Sequence, residues 1–272
     1  MMFQEKRIGF IGGGNMGEAL IRGLIAASLF HADRISVYDV IESRVQYLEK
    51  EFGVKGFSGI EELAESSSII VLAVKPQVIS RVLDTLCDHL SGKPLVISIA
   101  AGVCLSTIEG RLPTGTAVVR VMPNTPALVQ KGASVLSRGE AVSEEQMQMS
   151  LALFRSVGTA VEVDEKMMDA VTGLSGSGPA YILLVIEALI DSGVFVGLPR
   201  QTARELVIQT VIGTCSLIES TGKHTSELKD MITSPGGTTI HGLRVLESRS
   251  VRGALMECVE SATMRSAELG KG

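Results

Sequence analysis

The residues best suited to chemistry stand near the start of the chain. Ile8-Gly9-Phe10-Ile11-Gly12-Gly13-Gly14-Asn15-Met16-Gly17 holds Gly-x-Gly-x-x-Gly at Gly12, Gly14 and Gly17, directly after a strand-like run and before a helical one. Each glycine answers a separate physical demand. Gly12 permits a tight turn, Gly14 lets the backbone approach a pyrophosphate, and Gly17 lets helix and strand pack closely, with the helix N-terminus facing the anion. Ile11, Asn15 and Met16 complete the loop. Glycine-rich turns match the bare pattern by chance, and it is the succession of strand, loop, helix and second strand that makes dinucleotide binding the expected use. The second strand ends at Asp39, 22 residues beyond Gly17, near the spacing at which an acidic side chain meets the adenosine ribose. A carboxylate there repels a 2′-phosphate and so favours NADH. Arg44, five residues on, is placed either to pair with such a phosphate or to be a solvated surface arginine, which keeps NADPH open as well.

Further Gly and Pro punctuation follows later strand-like runs at Ala73-Val74-Lys75-Pro76, Ala100-Ala101-Gly102 and Pro123-Asn124-Thr125-Pro126. In an open parallel sheet such carboxyl ends form one rim, where ligands bind. Lys75 is by itself an ordinary surface residue, and Asn124 is either a turn former or an amide that fixes a nicotinamide carboxamide. Two Gly/Ser/Thr clusters, Thr172–Tyr181 and Thr233–Thr239, each lead into a helical run. Capping needs one such residue, whereas these supply several hydroxyls beside free N–H groups, as a carboxylate site requires. No Ser-His-Asp or Cys-His arrangement offers itself, since His31, His89, His224 and His241 are isolated. Hydride transfer, unlike hydrolysis, proceeds with few protein acids and bases.

The elements that must position these residues divide the chain in two. Up to about residue 165, short β-branched runs (Arg7–Ile11, Arg34–Tyr38, Ile69–Val74, Leu95–Ile99, Ala117–Met122, Ala133–Leu136 and Ala160–Val163) alternate with helical patterns at Glu18–Ala27, Val45–Phe52 and Val78–Leu90. That alternation predicts an α/β fold with a mostly parallel, helix-covered sheet, a Rossmann-type dinucleotide-binding domain over 1–165. From 166 to 272 every long stretch is helical in period: Tyr181–Phe195, Arg204–Glu219 with Pro199 at its first turn, Ser226–Ile232 and Val251–Leu269. Tyr181–Phe195 is apolar on nearly all faces, more than a domain of about 105 residues readily hides. Either a second subunit covers it or it is central in its own bundle.

Composition bounds the remaining possibilities. The chain has 272 residues, net charge −5, 45% hydrophobic and 20% charged residues, with a mean hydropathy of +0.32 and a pI near 5.5. Disorder is excluded as the main state, and nucleic acid is not an expected partner. The longest uncharged stretch, Ala170–Ile186, is broken by Gly173, Gly176, Gly178 and Pro179, so no membrane span is expected. Cys87, Cys104, Cys215 and Cys258 lie far apart without CxxC or a nearby His pair, which predicts buried thiols and no metal site. The first residues lack the layout of a secretory leader, so a cytoplasmic location is expected.

Taken together, Gly9–Gly17, Ala73–Pro76, Ala100–Val103, Met122–Pro126, Asp169–Tyr181, Leu228-Lys229-Asp230 and Ser234–Ile240 resemble the pyrroline-5-carboxylate reductase family. The last stretches are particular to that family and not to dinucleotide binders at large. The resemblance implies NAD(P)H-dependent reduction of the cyclic imine 1-pyrroline-5-carboxylate to L-proline. It implies a nicotinamide near Ala100, Ala101 and Asn124, substrate contacts from Glu165, Ser234, Gly236, Gly237, Thr238 and Thr239, and interlocked homodimers through the helical domain, often assembled into a larger ring. Thr239 is the candidate to hydrogen-bond the ring nitrogen. Two other readings stay open: a hydroxyacid-type two-domain dehydrogenase, which wants a catalytic lysine in the helical domain where Lys166 and Lys229 are available by type, and a non-catalytic redox sensor that binds dinucleotide.

Overall fold

The computed structural model describes residues 3, 5–90 and 92–270. Eight strands form one sheet: β1 Ile8–Ile11, β2 Ile35–Tyr38, β3 Lys55–Gly56, β4 Ile69–Leu72, β5 Leu95–Ser98, β6 Val118–Met122, β7 Gly132–Arg138 and β8 Gly158–Glu162. Their order is β3-β2-β1-β4-β5-β6-β7-β8. Every pairing is parallel except β6 with β7. The helices of this part are α1 Asn15–Ala26, α2 Glu42–Phe52, α3 Ile60–Ser66, α4 Pro76–Cys87, α5 Leu105–Glu109 and α6 Glu144–Arg155.

Strand periodicity decides which helix covers which face. Ile8, Phe10, Ile69, Val71, Leu95 and Ile97 pack with Leu20 and Leu24 of α1, Leu48 of α2 and Phe154 of α6. The alternate residues Ile11, Ile70, Leu72 and Val96 pack with Leu63 of α3, Leu83 and Leu86 of α4 and Ile108 of α5. A sheet buried on both faces reads as continuous β-branched runs, which is why these strands stand out in the sequence. The strand order reverses between β1 and β4, so the crevice at their carboxyl ends is the expected ligand site of such a sheet. The doubly wound α/β fold expected from the sequence is the one observed.

Strand β3 and helices α3, α5 and α6 lie outside the runs that periodicity picks out. The two-residue β3 is too short for any period. Helix α6, by contrast, has a full capping box, with Ser143 Oγ accepting from the Gln146 N–H and Gln146 Oε1 from the Ser143 N–H; Ser-x-x-Gln before an apolar run announces that start.

Beyond β8 a one-turn 3₁₀ segment, α7 Met168–Val171 and a π-helical turn Thr172–Gly176 lead into α8 Gly178–Phe195, α9 Arg200–Thr221, α10 Thr225–Met231, α11 Thr238–Ser248 and α12 Val251–Leu269. Pro199 stands one residue ahead of α9, as its N-cap and not within its first turn. The chain resolves into two compact units that divide later than residue 165: one runs to Ser177 and takes back the chain from Ser261, the other is Gly178–Glu260. The reason is a set of bonds between distant parts of the chain. Glu165 bonds to Arg120 and to the Leu105 N–H, Asn124 bonds to Ser175, and Asp169 accepts from Ser266 Oγ at 2.7 Å, so residues 165–177 and the end of α12 belong with the sheet.

Within the second unit α8 and α9 approach closely, and a Cβ on Gly193 would stand 2.8 Å from that of Ala203. Even so, Ile182, Leu183, Leu184, Leu189 and Phe195 of α8 are exposed in the single chain. Residues 165–195, a succession of 3₁₀, α, π and α segments, are long and apolar enough by length and composition to meet the measure of a membrane-crossing helix. The cysteines are not buried, contrary to the expectation from the sequence. Cys215 is exposed on α9, and Cys87, Cys104 and Cys258 are partly exposed.

Candidate functional site

The glycine loop is shaped as its spacing requires. Gly12 has φ +105°, and a Cβ there would run into the Ala73 carbonyl oxygen, so the turn out of β1 and the close approach of the Ala73 loop both demand glycine. A Cβ on Gly17 would stand 2.6 Å from the Gly12 carbonyl oxygen, which explains the small residue at the start of α1. Gly14 differs. It is the N-cap of α1, exposed and extended (φ −65°, ψ −174°), and nothing lies within 4 Å of a Cβ built on it. No side chain caps α1, so its first N–H groups point into that open space. The loop therefore fits a dinucleotide: the room at Gly14 is what a pyrophosphate needs, and the uncapped helix end supplies donors and the positive end of the dipole. Ile11 is buried in the sheet and can contribute backbone alone, while Asn15 is exposed and Met16 half-buried beside the loop.

Asp39 and Arg44 both brace this loop. Asp39 Oδ2 accepts from the Gly13 N–H at 2.7 Å and Oδ1 from the Ile41 N–H at 2.9 Å. Arg44 donates to the Gly13 carbonyl and pairs with Glu18, and its guanidinium lies 4.8 Å from the Tyr47 ring. It is thus not the solvated surface arginine that was one of its two expected uses. Glu18 pairs with Arg22 as well; burial works against its ionised form, but the hydrogen bonds from Arg44 and Arg22 outweigh it and hold the carboxyl below the usual range. A cleft of ≈ 560 Å³ opens beyond Asp39, lined by Tyr38, Phe57 and the carboxylates of Asp39, Glu42 and Glu49, with no cation on its lining.

Along the rim, Ala73 and Val74 are half-buried, Lys75 is the exposed N-cap of α4, and Pro76 opens that helix. Ala100 is buried, Ala101 exposed and Gly102 takes φ +74°. Two expected ligand contacts here are committed to the protein. Glu165 Oε1 accepts from the Leu105 N–H at 2.6 Å and from Arg120 at 3.0 Å, so this oxygen anchors the segment after Gly102 to β6. Asn124 places its oxygen on the Ala133 N–H and its nitrogen on the Ser175 carbonyl. Arg120, 5% exposed, was missed from the sequence; an arginine inside Val118-Val119-Arg120-Val121-Met122 is itself the signal, because a charge in a buried strand needs a partner.

In the second unit, Ser234–Gly237 forms a tight turn ahead of α11. Gly236 has φ +69°, and the Gly237 N–H closes on the Ser234 carbonyl at 3.1 Å. Gly237 is the N-cap and no side chain caps α11. The Gly237 N–H expected for an anion is therefore spent on the turn, and the free donors of the first helical turn are those from Thr238 on. Thr238 is exposed and Thr239 half-buried. By contrast the hydroxyls of Thr172 and Ser175 donate to the Met168 and Val171 carbonyls at 2.8 and 3.1 Å. His241 is exposed, and Lys166 pairs with Asp164 at 2.9 Å. Among the described residues no group of His, Cys, Asp and Glu could hold a metal ion.

Residues 165–269 match the family described as pyrroline-5-carboxylate reductase dimerisation, and residues 7–102 the family described as NADP oxidoreductase coenzyme F420-dependent. The chain is 47% identical to a pyrroline-5-carboxylate reductase of Methanosarcina acetivorans over 98% of its own length and 99% of that relative's. Among solved structures it is similar to a pyrroline-5-carboxylate reductase from Coxiella burnetii, with a TM-score of 0.94 and 38% identity over 98% of this chain and 99% of that one. It is also similar to the Plasmodium falciparum pyrroline carboxylate reductase with NADP bound, with a TM-score of 0.88 and 36% identity over 98% and 99% of the two chains.

Proposed function

Because the chain belongs to the pyrroline-5-carboxylate reductase family, we propose a division of labour among its residues for that family's reaction. The protein is an oxidoreductase that reduces 1-pyrroline-5-carboxylate to L-proline, the last step of proline biosynthesis, using NAD(P)H. The observation that carries the assignment of roles is that two of the helices without a side-chain cap, α1 and α11, begin directly after glycine turns with open space beside them, since nothing lies within 4 Å of a Cβ built on Gly14 or Gly236. One suits a pyrophosphate and the other a small carboxylate. A redox sensor needs no second anion seat, and a hydroxyacid dehydrogenase wants a lysine in a place where Lys166 is instead paired with Asp164 on the surface; neither is favoured.

When bound, the dinucleotide supplies the hydride. The loop Gly12–Gly17 holds its pyrophosphate, Asp39 its adenosine ribose, and Ala73–Pro76 with Ala100–Gly102 line the path toward the nicotinamide. The substrate carboxylate takes the N–H groups of Thr238 and Thr239, with Ser234 and Gly236 shaping the turn. The Thr239 hydroxyl donates to the ring nitrogen, favouring iminium character at the carbon attacked. The proposed compartment is the cytoplasm.

The cleft beyond Asp39 favours NADH, since three carboxylates line it and Arg44 is turned toward Glu18. Purified protein oxidises NADH and NADPH in the presence of the imine acid; absence of both activities refutes the assignment. Asp39→Ser is expected to shift the NADPH-to-NADH ratio of kcat/KM upward by about 5- to 30-fold, roughly 1–2 kcal/mol for one lost repulsion and one lost hydrogen bond. An unchanged ratio places the choice of cofactor elsewhere.

The protein is a homo-oligomer by its dimerisation region, and we assign the interface to α8, whose Leu183 and Leu184 are 64% and 67% exposed in the single chain. Apolar surface of that extent normally has a partner. Leu184→Glu should yield monomer or aggregate on light scattering. A wild-type protein that is monomeric and fully active removes the interface. Assembly of dimers into a larger ring is part of the same proposal, read by the same measurement.

A further inference from the structure

Asn124 is the side chain whose observed bonding departs most from the use its position suggests. It is half-buried at the carboxyl end of β6, and both ends of its carboxamide are bonded within the protein, Oδ1 from the Ala133 N–H at 2.8 Å and Nδ2 to the Ser175 carbonyl at 3.0 Å. The first partner can only donate and the second only accept, so the orientation of the amide follows from its neighbours.

The Ser175 carbonyl is an unusual partner. It lies in the π-helical turn Thr172–Gly176, in which the Ser177 N–H reaches back to the Thr172 carbonyl at 2.9 Å. In a regular helix the carbonyl of residue 175 would accept from the N–H of residue 179. That residue is Pro179, which has none. A half-buried carbonyl left without a donor is costly, and Asn124 supplies the donor from a different segment of the chain. The nearby hydroxyls of Thr172 and Ser175 are already directed to their own helical carbonyls. The same loop also closes on the turn by packing, since a Cβ on Gly176 would come within 2.6 Å of Met122 Cε.

We propose that Asn124 is a positioning residue for the reductase reaction. It acts by capping the Ser175 carbonyl, which fixes the π turn against the carboxyl end of β6, and it does not itself touch the nicotinamide carboxamide. Interrupted helical turns of this kind concentrate at functional sites, and here the turn borders the rim assigned above to the nicotinamide, a reading on which the kinetic part of the proposal rests. Loss of the cap should therefore disturb the alignment of the reacting groups more than the affinity for the dinucleotide.

The test is Asn124→Asp beside Asn124→Ala, with cofactor Kd by fluorescence titration, kcat and KM from pH 5.5 to 8.5, and hydrogen exchange over residues 172–177. Aspartate keeps the acceptor for Ala133 but sets a carboxylate oxygen against the Ser175 carbonyl. Once protonated, its O–H can donate to that carbonyl as the amide does. The expected result is a kcat lowered by about 10- to 100-fold at pH 8, as a small misplacement of reacting groups produces, with cofactor Kd within about threefold of wild type. The ratio of variant to wild-type kcat should then rise at least about fivefold toward pH 5.5 in Asn124→Asp, and stay flat in Asn124→Ala. Wild-type kcat at all pH values overturns the proposal. So does a pH-independent loss accompanied by cofactor binding weakened tenfold or more, which returns Asn124 to the nicotinamide.

If the wild-type protein does not reduce the imine acid, the functional reading fails separately, and hydrogen exchange decides: faster exchange at 172–177 in Asn124→Asp supports the cap, and unchanged exchange removes it. Should Asn124→Asp not fold, Asn124→Ser serves in its place. Lowered kcat with retained cofactor affinity supports the proposal, and undiminished kcat overturns it.

Discussion

Gly14→Val folds and no longer binds NADH or NADPH. Two observations lead to this expectation. A Cβ at Gly14 meets nothing in the protein, and the residue is extended with negative φ, so valine is accommodated without clash or strain. The space the side chain takes is the space in front of the uncapped N-terminus of α1, where a phosphate must approach the backbone to within hydrogen-bonding distance. Cofactor affinity should fall by about 100-fold or more, ~3 kcal/mol, while the thermal midpoint stays within a few degrees of wild type. Gly12→Val is the opposite case: φ +105° and the Ala73 carbonyl make valine there a folding defect. Fluorescence titration together with a thermal melt separates the two outcomes. Near-wild-type affinity in Gly14→Val would remove the pyrophosphate from this loop.

The contrast between these two glycines also shows how far the sequence could be read. The motif located the turn, and the β-branched runs located the sheet, because both are local: a tight turn needs glycine, and a strand buried on two faces needs apolar residues in succession. The partners of the polar rim residues were not legible, since each residue has at least one partner distant in the chain. Asp39, Asn124 and Glu165 were all expected to face a ligand, and each has a carboxylate or carboxamide atom bonded to a backbone group 26 or more residues away, at Gly13, Ser175 and Leu105 respectively. A side chain at the mouth of a sheet has the same composition whether it contacts a ligand or braces the loop that does. The two compact units part at Ser177, although helical periodicity begins near residue 165, because polar ties from Glu165 to β6 and α5 and from Ser175 to Asn124 keep residues up to 177 with the sheet.

The exposed apolar face of α8 was visible in the sequence as a helix without a polar side, and the structure adds that its own unit leaves it uncovered. Burial of such a face in an oligomer makes folding and assembly interdependent, so subunit concentration enters any measured stability. For that reason the kinetic variants are best compared at one protein concentration, with the oligomeric state checked in each.

Thr239→Val should lower kcat by about 10- to 100-fold while changing KM much less, the span of a hydrogen-bond or general-acid contribution. Thr239 is the second residue of α11, half-buried, next to the uncapped first turn to which the substrate carboxylate is assigned. Its backbone N–H is available to that carboxylate, and a valine retains it. What valine removes is the hydroxyl, and with it the one donor proposed for the ring nitrogen. In the ground state that hydrogen bond replaces one from water and adds little. As hydride reaches the carbon, the nitrogen gains electron density and becomes a stronger acceptor, so the bond is worth most in the transition state, which places the loss on kcat. Because Val and Thr share the β-branched shape, helix α11 and its packing should be unchanged, and circular dichroism can verify this before kinetics are measured. Thr238→Val, one position earlier and more exposed, provides the control for a general disturbance of the turn and should leave kcat within about threefold. A rise in KM with kcat intact in Thr239→Val would mean that the hydroxyl merely binds substrate, and protonation of the product amine would then be assigned to solvent or to another group.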